Sequence, residues 1–269
     1  MSIQAYADEI TRGGLPGLRA VPARFRSTAW DGYLSEVFDR DLPELGRVVR
    51  RPDTLRNWLR SYAAATGSIA SYTDILDNAC PNESDKPTKA TTLAWREALG
   101  KMWLLDPLSA WDDPLHHLGR LVSASKHHLA DPALPAHLLG VTADTLLSSP
   151  VPDSPKTPRL GTLFGALFES LVTLSIRAYA TIIGVRASHL RTRNGDREID
   201  LMLTRADGRS VAIEVKSSAD INARDVRHLV WLRGRMGEDL LDAIVINTGP
   251  AAYRRGDGIG VIPASLIGV

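Results

Sequence analysis

Residues 185–218, VRASHLRTRNGDREIDLMLTRADGRSVAIEVKSS, decide how the chain is read. Two dipeptides, Asn194-Gly195 and Asp207-Gly208, interrupt three extended runs. Asn, Asp and Gly all tolerate the positive φ of a tight hairpin, so this spacing predicts three antiparallel strands. Side chains alternate along a strand, which sends Val211, Ile213 and Val215 one way and Ala212, Glu214 and Lys216 the other. The first face is expected to be core. The second places a carboxylate and an ammonium on an inner strand, where charge is costly unless paired or metal-bound. Glu198 and Asp200 share a face of the preceding strand, and the Asp207-Gly208 hairpin brings Asp200 alongside Glu214. Carboxylates meeting from two strands make the all-oxygen site that Mg²⁺ or Mn²⁺ prefers. Lys216 beside them would orient a metal-bound water or stabilise developing charge. The competing reading is an exposed edge-strand ion pair of Glu214 and Lys216, worth about 0–1 kcal/mol.

Working outward, RLGTLFGALFESLVTLSIRAYA before the strands is an amphipathic helix, with Leu160, Leu163, Phe164, Leu167, Leu171 and Leu174 on one stripe. Glu169 lies off that stripe among Gly165, Ala166 and Thr173, small neighbours that let a helix approach a sheet and its carboxylate reach the same site. After the strands, INARDVRHLVWLRGRMG reads as a helix and LLDAIVINTG as a buried strand. Strand, helix and strand imply a crossover into a parallel pair. The order helix, three-strand meander, helix, strand predicts a mixed α/β sheet.

The N-terminal half reads as helical. Ser27 is a candidate cap for a helix burying Trp30, Tyr33, Leu34, Val37 and Phe38, limited by Pro43. A second helix begins near Pro52 and carries Leu55, Trp58, Leu59 and Tyr62 up to Gly67. A third, SYTDILDNA, has Ser71 as its cap, and a fourth spans about Thr91–Leu104 with Leu93, Leu99, Met102 and Trp103 apolar. The last three helices fit a helix-turn-helix whose recognition helix, at about 88–100, offers Lys89, Arg96 and Lys101 to DNA. GRLVSASKHH would then be the wing. An ordinary helical bundle with a solvated basic face is the reading that the sequence alone favours. The prolines of SSPVPDSPKTPR mark a linker. The expected division is a helical lead-in over 1–50, a winged helix-turn-helix-like domain over 51–130, a proline-rich linker over 131–158 and an α/β domain over 159–269.

Composition narrows the function classes. The chain has 269 residues, 32 Lys plus Arg against 31 Asp plus Glu and a formal net charge of +1. Near neutrality excludes a generic polyanion binder, so DNA contacts must come from local patches such as Arg191 and Arg193 in RTRNGDR. A hydrophobic content of 44% excludes a disordered chain. No apolar run approaches 18 residues, and the first residues lack a signal peptide's basic start and apolar core, so no membrane span and a soluble cytoplasmic protein are expected. Cys80 is the single cysteine, which excludes a disulfide framework. His116-His117 and His127-His128 are adjacent pairs, not the i, i+4 pairs that share a helical face, and are expected to be solvated or at strand ends. Gly100-Lys101 is followed by Met102 inside a helix and is no phosphate loop, so ATP hydrolysis is not expected.

Asp200, the Glu214-Val215-Lys216 strand and the preceding helical Glu169 resemble the PD-(D/E)xK nuclease superfamily. More narrowly, GGLPGL, YLSEVFDRDLPELG, KHHLADPALPAHLLG, LGTLFGALFESLV, RTRNGDREIDLML, VAIEVKSS and YRRGDGIGVIP resemble the C-terminal half of a family of prokaryotic AAA-type ATPases. That half is a domain of unknown function that joins a winged helix to a nuclease-like domain. The resemblance runs from near residue 13 to the end, without the ATPase domain that normally comes first. It implies a restriction-endonuclease-like αβββαβ core, metal-binding acids at Asp200, Glu214 and Glu169, and a catalytic lysine at Lys216. The implied activity is Mg²⁺- or Mn²⁺-dependent hydrolysis of DNA. The alternative is a catalytically silent module that binds DNA, an AAA-type ATPase or a second copy of the chain.

Overall fold

The computed structural model describes residues 1–46, 51–80, 86–112, 121–148 and 163–268. The chain divides into a sheet unit, residues 1–6, 108–126 and 171–269, and a helical unit, residues 7–107 and 127–170. It is mixed α/β, helical in its N-terminal part and built on a six-stranded sheet towards the C-terminus.

In the sheet unit, β1 (Arg186–Arg191), β2 (Glu198–Thr204) and β3 (Ser210–Lys216) form the expected antiparallel meander. Gly195 and Gly208 take φ of +75° and +85° in the two connecting turns, where a Cβ would be strained. α11 (Arg227–Met236) then leads into β4 (Leu240–Asn247), which pairs parallel with β3. β5 (Tyr253–Arg254) and β6 (Gly260–Pro263) extend the sheet, giving the order β1-β2-β3-β4-β6-β5, with β6 parallel to β4. The sequence reading stopped before this last pair. Its signal was a third Asp-Gly dipeptide, Asp257-Gly258, with Gly258 at φ +79°.

Both faces of β3 are buried, unlike the one-sided core expected. Ala212 joins Met202, Ala243 and Val245 under Leu229 and Leu232 of α11, while Ile213 and Leu201 are buried on the opposite face. An interior strand with a parallel partner needs cover on both sides, so alternation alone could not say which face was core. Glu214 therefore points into a covered face and is only 3% exposed.

In the helical unit, α3 (Ala23–Glu36) starts directly after Pro22, earlier than the proposed Ser27 cap. Pro43 offers no N–H for an i→i−4 bond, and the chain widens into a π turn over Val37–Asp41 before α4 (Leu42–Glu44). α5 (Pro52–Ala64) and α6 (Tyr72–Ala79) form as expected. Ser71 accepts a hydrogen bond from the Asp74 N–H, and the Asp74 carboxylate accepts one in return from the Ser71 N–H. α7 (Lys89–Lys101) buries Thr92, Trp95, Ala98 and Leu99. Two residues read as its apolar members face outward: Leu93 is 46% exposed, and Trp103 is 73% exposed with a left-handed φ of +60°. Trp30, Leu34, Leu55, Trp58, Tyr62, Trp95 and Leu134 share one core. The lead-in also holds α1 (Ile3–Arg12) and α2 (Pro16–Arg19).

Two expectations change here. Residues 131–148, read as the start of a linker, carry α8 (Ala133–Leu138) and α9 (Ala143–Ser148). Ala133, Leu134, Pro135 and Ala136 are buried because Asp131 anchors the segment, accepting from the N–H groups of Ala133 (2.8 Å), Gly14 (2.6 Å) and Leu15 (3.2 Å). The rest of the proposed linker, 149–158, lies outside the described residues. Leu121–Lys126, read as part of a wing, belongs to the sheet unit and makes only single-residue bridges, Leu121 with Thr192 and Lys126 with Leu108. Finally, α10 (Leu163–Ile183) is, by length and composition, apolar enough to cross a membrane, which the count of uninterrupted apolar residues had excluded; 39% of that window is buried.

Candidate functional site

β2 and β3 bring Asp200 and Glu214 together. The Asp200 carboxylate accepts a hydrogen bond at 2.9 Å from the backbone N–H of Val215, the residue after Glu214. Its other oxygen accepts at 3.0 Å from the ammonium of Lys126, which also lies 3.2 Å from Glu198 Oε1. Lys126 is 1% exposed, and its backbone is held by paired hydrogen bonds with Leu108, both 2.9 Å. The other Glu198 oxygen pairs with Arg191 Nη1 at 3.0 Å. Lys216 Nζ sits 2.6 Å from Glu214 Oε2. Glu214 Oε1 is buried and has no hydrogen-bond partner among the described residues; His228 Nδ1 lies 3.7 Å from it. His228 instead turns Nδ1 to the Glu198 carbonyl at 2.8 Å, while Arg227 Nε donates to its Nε2 at 2.8 Å. The Glu198 N–H also faces Nδ1, at 3.3 Å, and burial lowers the His228 pKa, which favours the neutral ring.

The electrostatics follow from this packing. Burial opposes ionisation of Asp200, but the ammonium groups of Lys126 and Lys216 and the Val215 N–H outweigh it and hold the carboxyl well below the usual range. Glu214 is pushed well above the usual range, by burial first and then by the Asp200 charge, against the pull of Lys216. His189, on β1, is lowered to about 4 by burial and by Lys126. Its Nε2 meets the Ala124 carbonyl at 3.0 Å, and Nδ1 is buried without a partner among the described residues.

The metal ion implied by the resemblance does not fit this donor set as it stands. The Lys126 ammonium lies between Asp200 and Glu198, and the other Asp200 oxygen is engaged by a peptide N–H. Among the described residues, no three His, Cys, Asp or Glu side chains are grouped to hold a metal ion. Glu169, the fourth proposed site residue, belongs to the helical unit, where a Cβ added to Gly67 would lie 3.6 Å from its Oε2.

A family model described as a domain of unknown function, DUF8612, matches residues 3–145, more than half of the chain. The chain belongs to that family. A second domain of unknown function, DUF4143, matches residues 164–267. No curated protein matches the chain. The ion cluster draws on both matched stretches, with Lys126 in the DUF8612 part and the three acids in the DUF4143 part.

The remaining proposed residues divide by surroundings. Arg193 is exposed in the β1–β2 turn, and Arg191 is half-buried against Glu198. On α7, Lys89 and Lys101 are exposed, but the Arg96 guanidinium stacks on the Tyr72 ring at 3.7 Å and is not presented to a groove. His127 and His128 are buried, not solvated. His127 lies edge-on to Tyr62 and Tyr72 and meets the Ala70 carbonyl at 2.8 Å, and His128 Nδ1 lies 3.3 Å from Ser170 Oγ. His116 and His117 lie outside the described residues. Sequence reasoning missed Lys126, His189 and His228. Lys126 sits in a stretch with no periodicity, 74 positions from Asp200, and left no local signal.

Proposed function

We propose that the sheet unit is a nuclease-like module that holds duplex DNA and does not cleave it. The observation that carries the reading is the gathering of cations around Glu198. Arg191 pairs with its carboxylate, and Arg227 bonds the His228 ring that caps its carbonyl. Arg193 is exposed in the adjoining turn, and Arg197 lies over Trp231 at 5.6 Å. Arginines fixed on strand and helix ends present planar donors that suit phosphate oxygens. The succession α10, β1, β2, β3, α11, β4 supports the nuclease-like likeness. Silence follows from Lys126, whose buried ammonium opposes a second cation at Asp200.

The second reading, metal-dependent hydrolysis, has one observation in its favour, the buried Oε1 of Glu214, which has no hydrogen-bond partner among the described residues. Plasmid DNA incubated with Mn²⁺ and wild-type or Lys216→Ala protein separates the two. The expected result is no nicking by either protein, with duplex binding that weakens as salt rises. Mn²⁺-dependent nicking by the wild type that Lys216→Ala abolishes would overturn the silent reading.

A further inference from the structure

We propose that the outward face of α11 is a self-association surface, on which α11 of a second copy of this chain lies antiparallel. α11 turns Leu229, Leu232 and Met236 into the core, and its opposite side carries Arg227, Val230 and Gly234, all exposed. Val230 keeps 46% of its surface exposed on that line. A Cβ at Gly234 would meet nothing within 4 Å, and Gly234 takes no positive φ. Among the described residues nothing therefore calls for glycine there, although glycine is, proline apart, the residue a helix favours least. An exposed apolar knob one turn from an open notch is self-complementary. About a two-fold axis beside residue 232, Val230 of each copy faces Gly234 of the other. The charges agree with that register. α11 itself holds no acidic residue, and the turn that ends it, Gly237–Asp239, brings the exposed Glu238. Arg227 in the first turn and Glu238 beyond the last both oppose the helix dipole. Antiparallel pairing sets Arg227 of one copy opposite Gly237–Glu238 of the other and relieves both. Arg227 Nε is committed to His228 Nε2 at 2.8 Å, and its two Nη groups can take a carboxylate.

The helix has 10 residues, about 15 Å of length, so the contact falls at the small end of specific interfaces. A reversible dimer with a dissociation constant of about 10–100 µM is expected. Arg227 also belongs to the rim proposed to hold DNA, so a duplex competes with the second copy there; the test uses protein without DNA, and either proposal can fail alone. Sedimentation equilibrium of the full chain is measured from about 1 to about 500 µM, beside thermal denaturation. The wild type is expected to pass from monomer to dimer across this range, less readily as salt rises. Gly234→Leu places a better helix former where a Cβ meets nothing in the monomer, so it should melt no lower than the wild type and stay monomeric. Val230→Ser, at an exposed position, should raise the dissociation constant by at least about tenfold. Arg227→Glu and Glu238→Arg should each do the same, and the two together should restore dimerisation, which a loss of local structure would not. A wild type that stays monomeric, a dimer that either Gly234→Leu or Val230→Ser leaves intact, or a double reversal that fails to restore it overturns the proposal.

Discussion

In the helical unit, Asp131 engages its carboxylate with three backbone N–H groups, whereas in the sheet unit Asp200 divides its own between one N–H and the Lys126 ammonium. The histidines differ in the same way. His127 meets a carbonyl and two tyrosine rings, while His189 has one ring nitrogen bonded and the other buried without a partner among the described residues. Both units bury side-chain atoms with no hydrogen-bond partner among the described residues, Trp30 Nε1 and Trp58 Nε1 in one and His189 Nδ1 and Glu214 Oε1 in the other. What sets the sheet unit apart is that its buried polar cluster is ionic, Lys126 lying between Asp200 and Glu198, the pattern expected where burial serves a site and not only the fold.

The largest expected effect comes from breaking the ion cluster. Asp200→Ala leaves the Lys126 ammonium buried with Glu198 as its remaining carboxylate partner among the contacts described, and removing one member of a buried pair costs about 3–5 kcal/mol. Asp131→Ala leaves three N–H groups to find new partners and should cost less, about 2 kcal/mol, because two of them lie in the Gly14–Leu15 loop where water can replace the carboxylate. Urea denaturation of the two variants against wild type measures both. Equal losses would mean that the ion cluster is no more strained than a backbone anchor.

Acid sharpens the contrast next. His189 titrates at about 4 in the fold and near 6.5 in the unfolded chain. The unfolded chain therefore binds the extra proton between those values, so stability falls as pH drops from about 6.5 to about 4, by about 2–3 kcal/mol in all. Glu214 acts in the opposite sense. Its folded pKa is raised, so its contribution is fully present below the unfolded value near 4.3 and is lost as pH rises. His189→Gln keeps an amide for the Ala124 carbonyl and removes the titration. Its stability should vary less than the wild type's between pH 6.5 and 4, and an unchanged acid limb would show that His189 is not the group responsible.

Much of this was legible in the sequence where local chemistry decides structure. Asn194-Gly195 and Asp207-Gly208 marked the turns, Ser71 and Asp74 marked a helix start, and LLDAIVINTG stood out as a buried strand. The acids could be paired because a hairpin of known register links Asp200 to Glu214. Lys126 could not be, since it reaches Asp200 through isolated bridges between segments far apart in the chain. The faces of β3 were misread because alternation reports which residues share a side, not what covers it. The same limit hid the tie of Arg96 to Tyr72, which depends on how α6 and α7 pack.

The smallest effect on stability, and the most direct comparison of the two units, concerns exposed cations. Lys89 and Lys101 lie at the ends of α7, and Arg193 and Arg227 lie on the rim of the sheet site; all are exposed. Replacing either pair by alanine should change stability by no more than about 0.5 kcal/mol, since surface positions rarely matter more. Their effects on DNA binding should differ. Each phosphate contact contributes about 0.9 to the slope of log affinity against log salt on duplex DNA. If the sheet rim holds the duplex, Arg193→Ala with Arg227→Ala should lower the slope by about 1.8 with a similar loss on every sequence. Lys89→Ala with Lys101→Ala should leave it unchanged, because the middle of α7 turns Trp95 and Leu99 into the core and its one central arginine is held by Tyr72. The reverse result would move the DNA-binding surface to the helical unit and favour a winged-helix reading of residues 51–130, leaving the sheet cluster with a role that needs no nucleic acid.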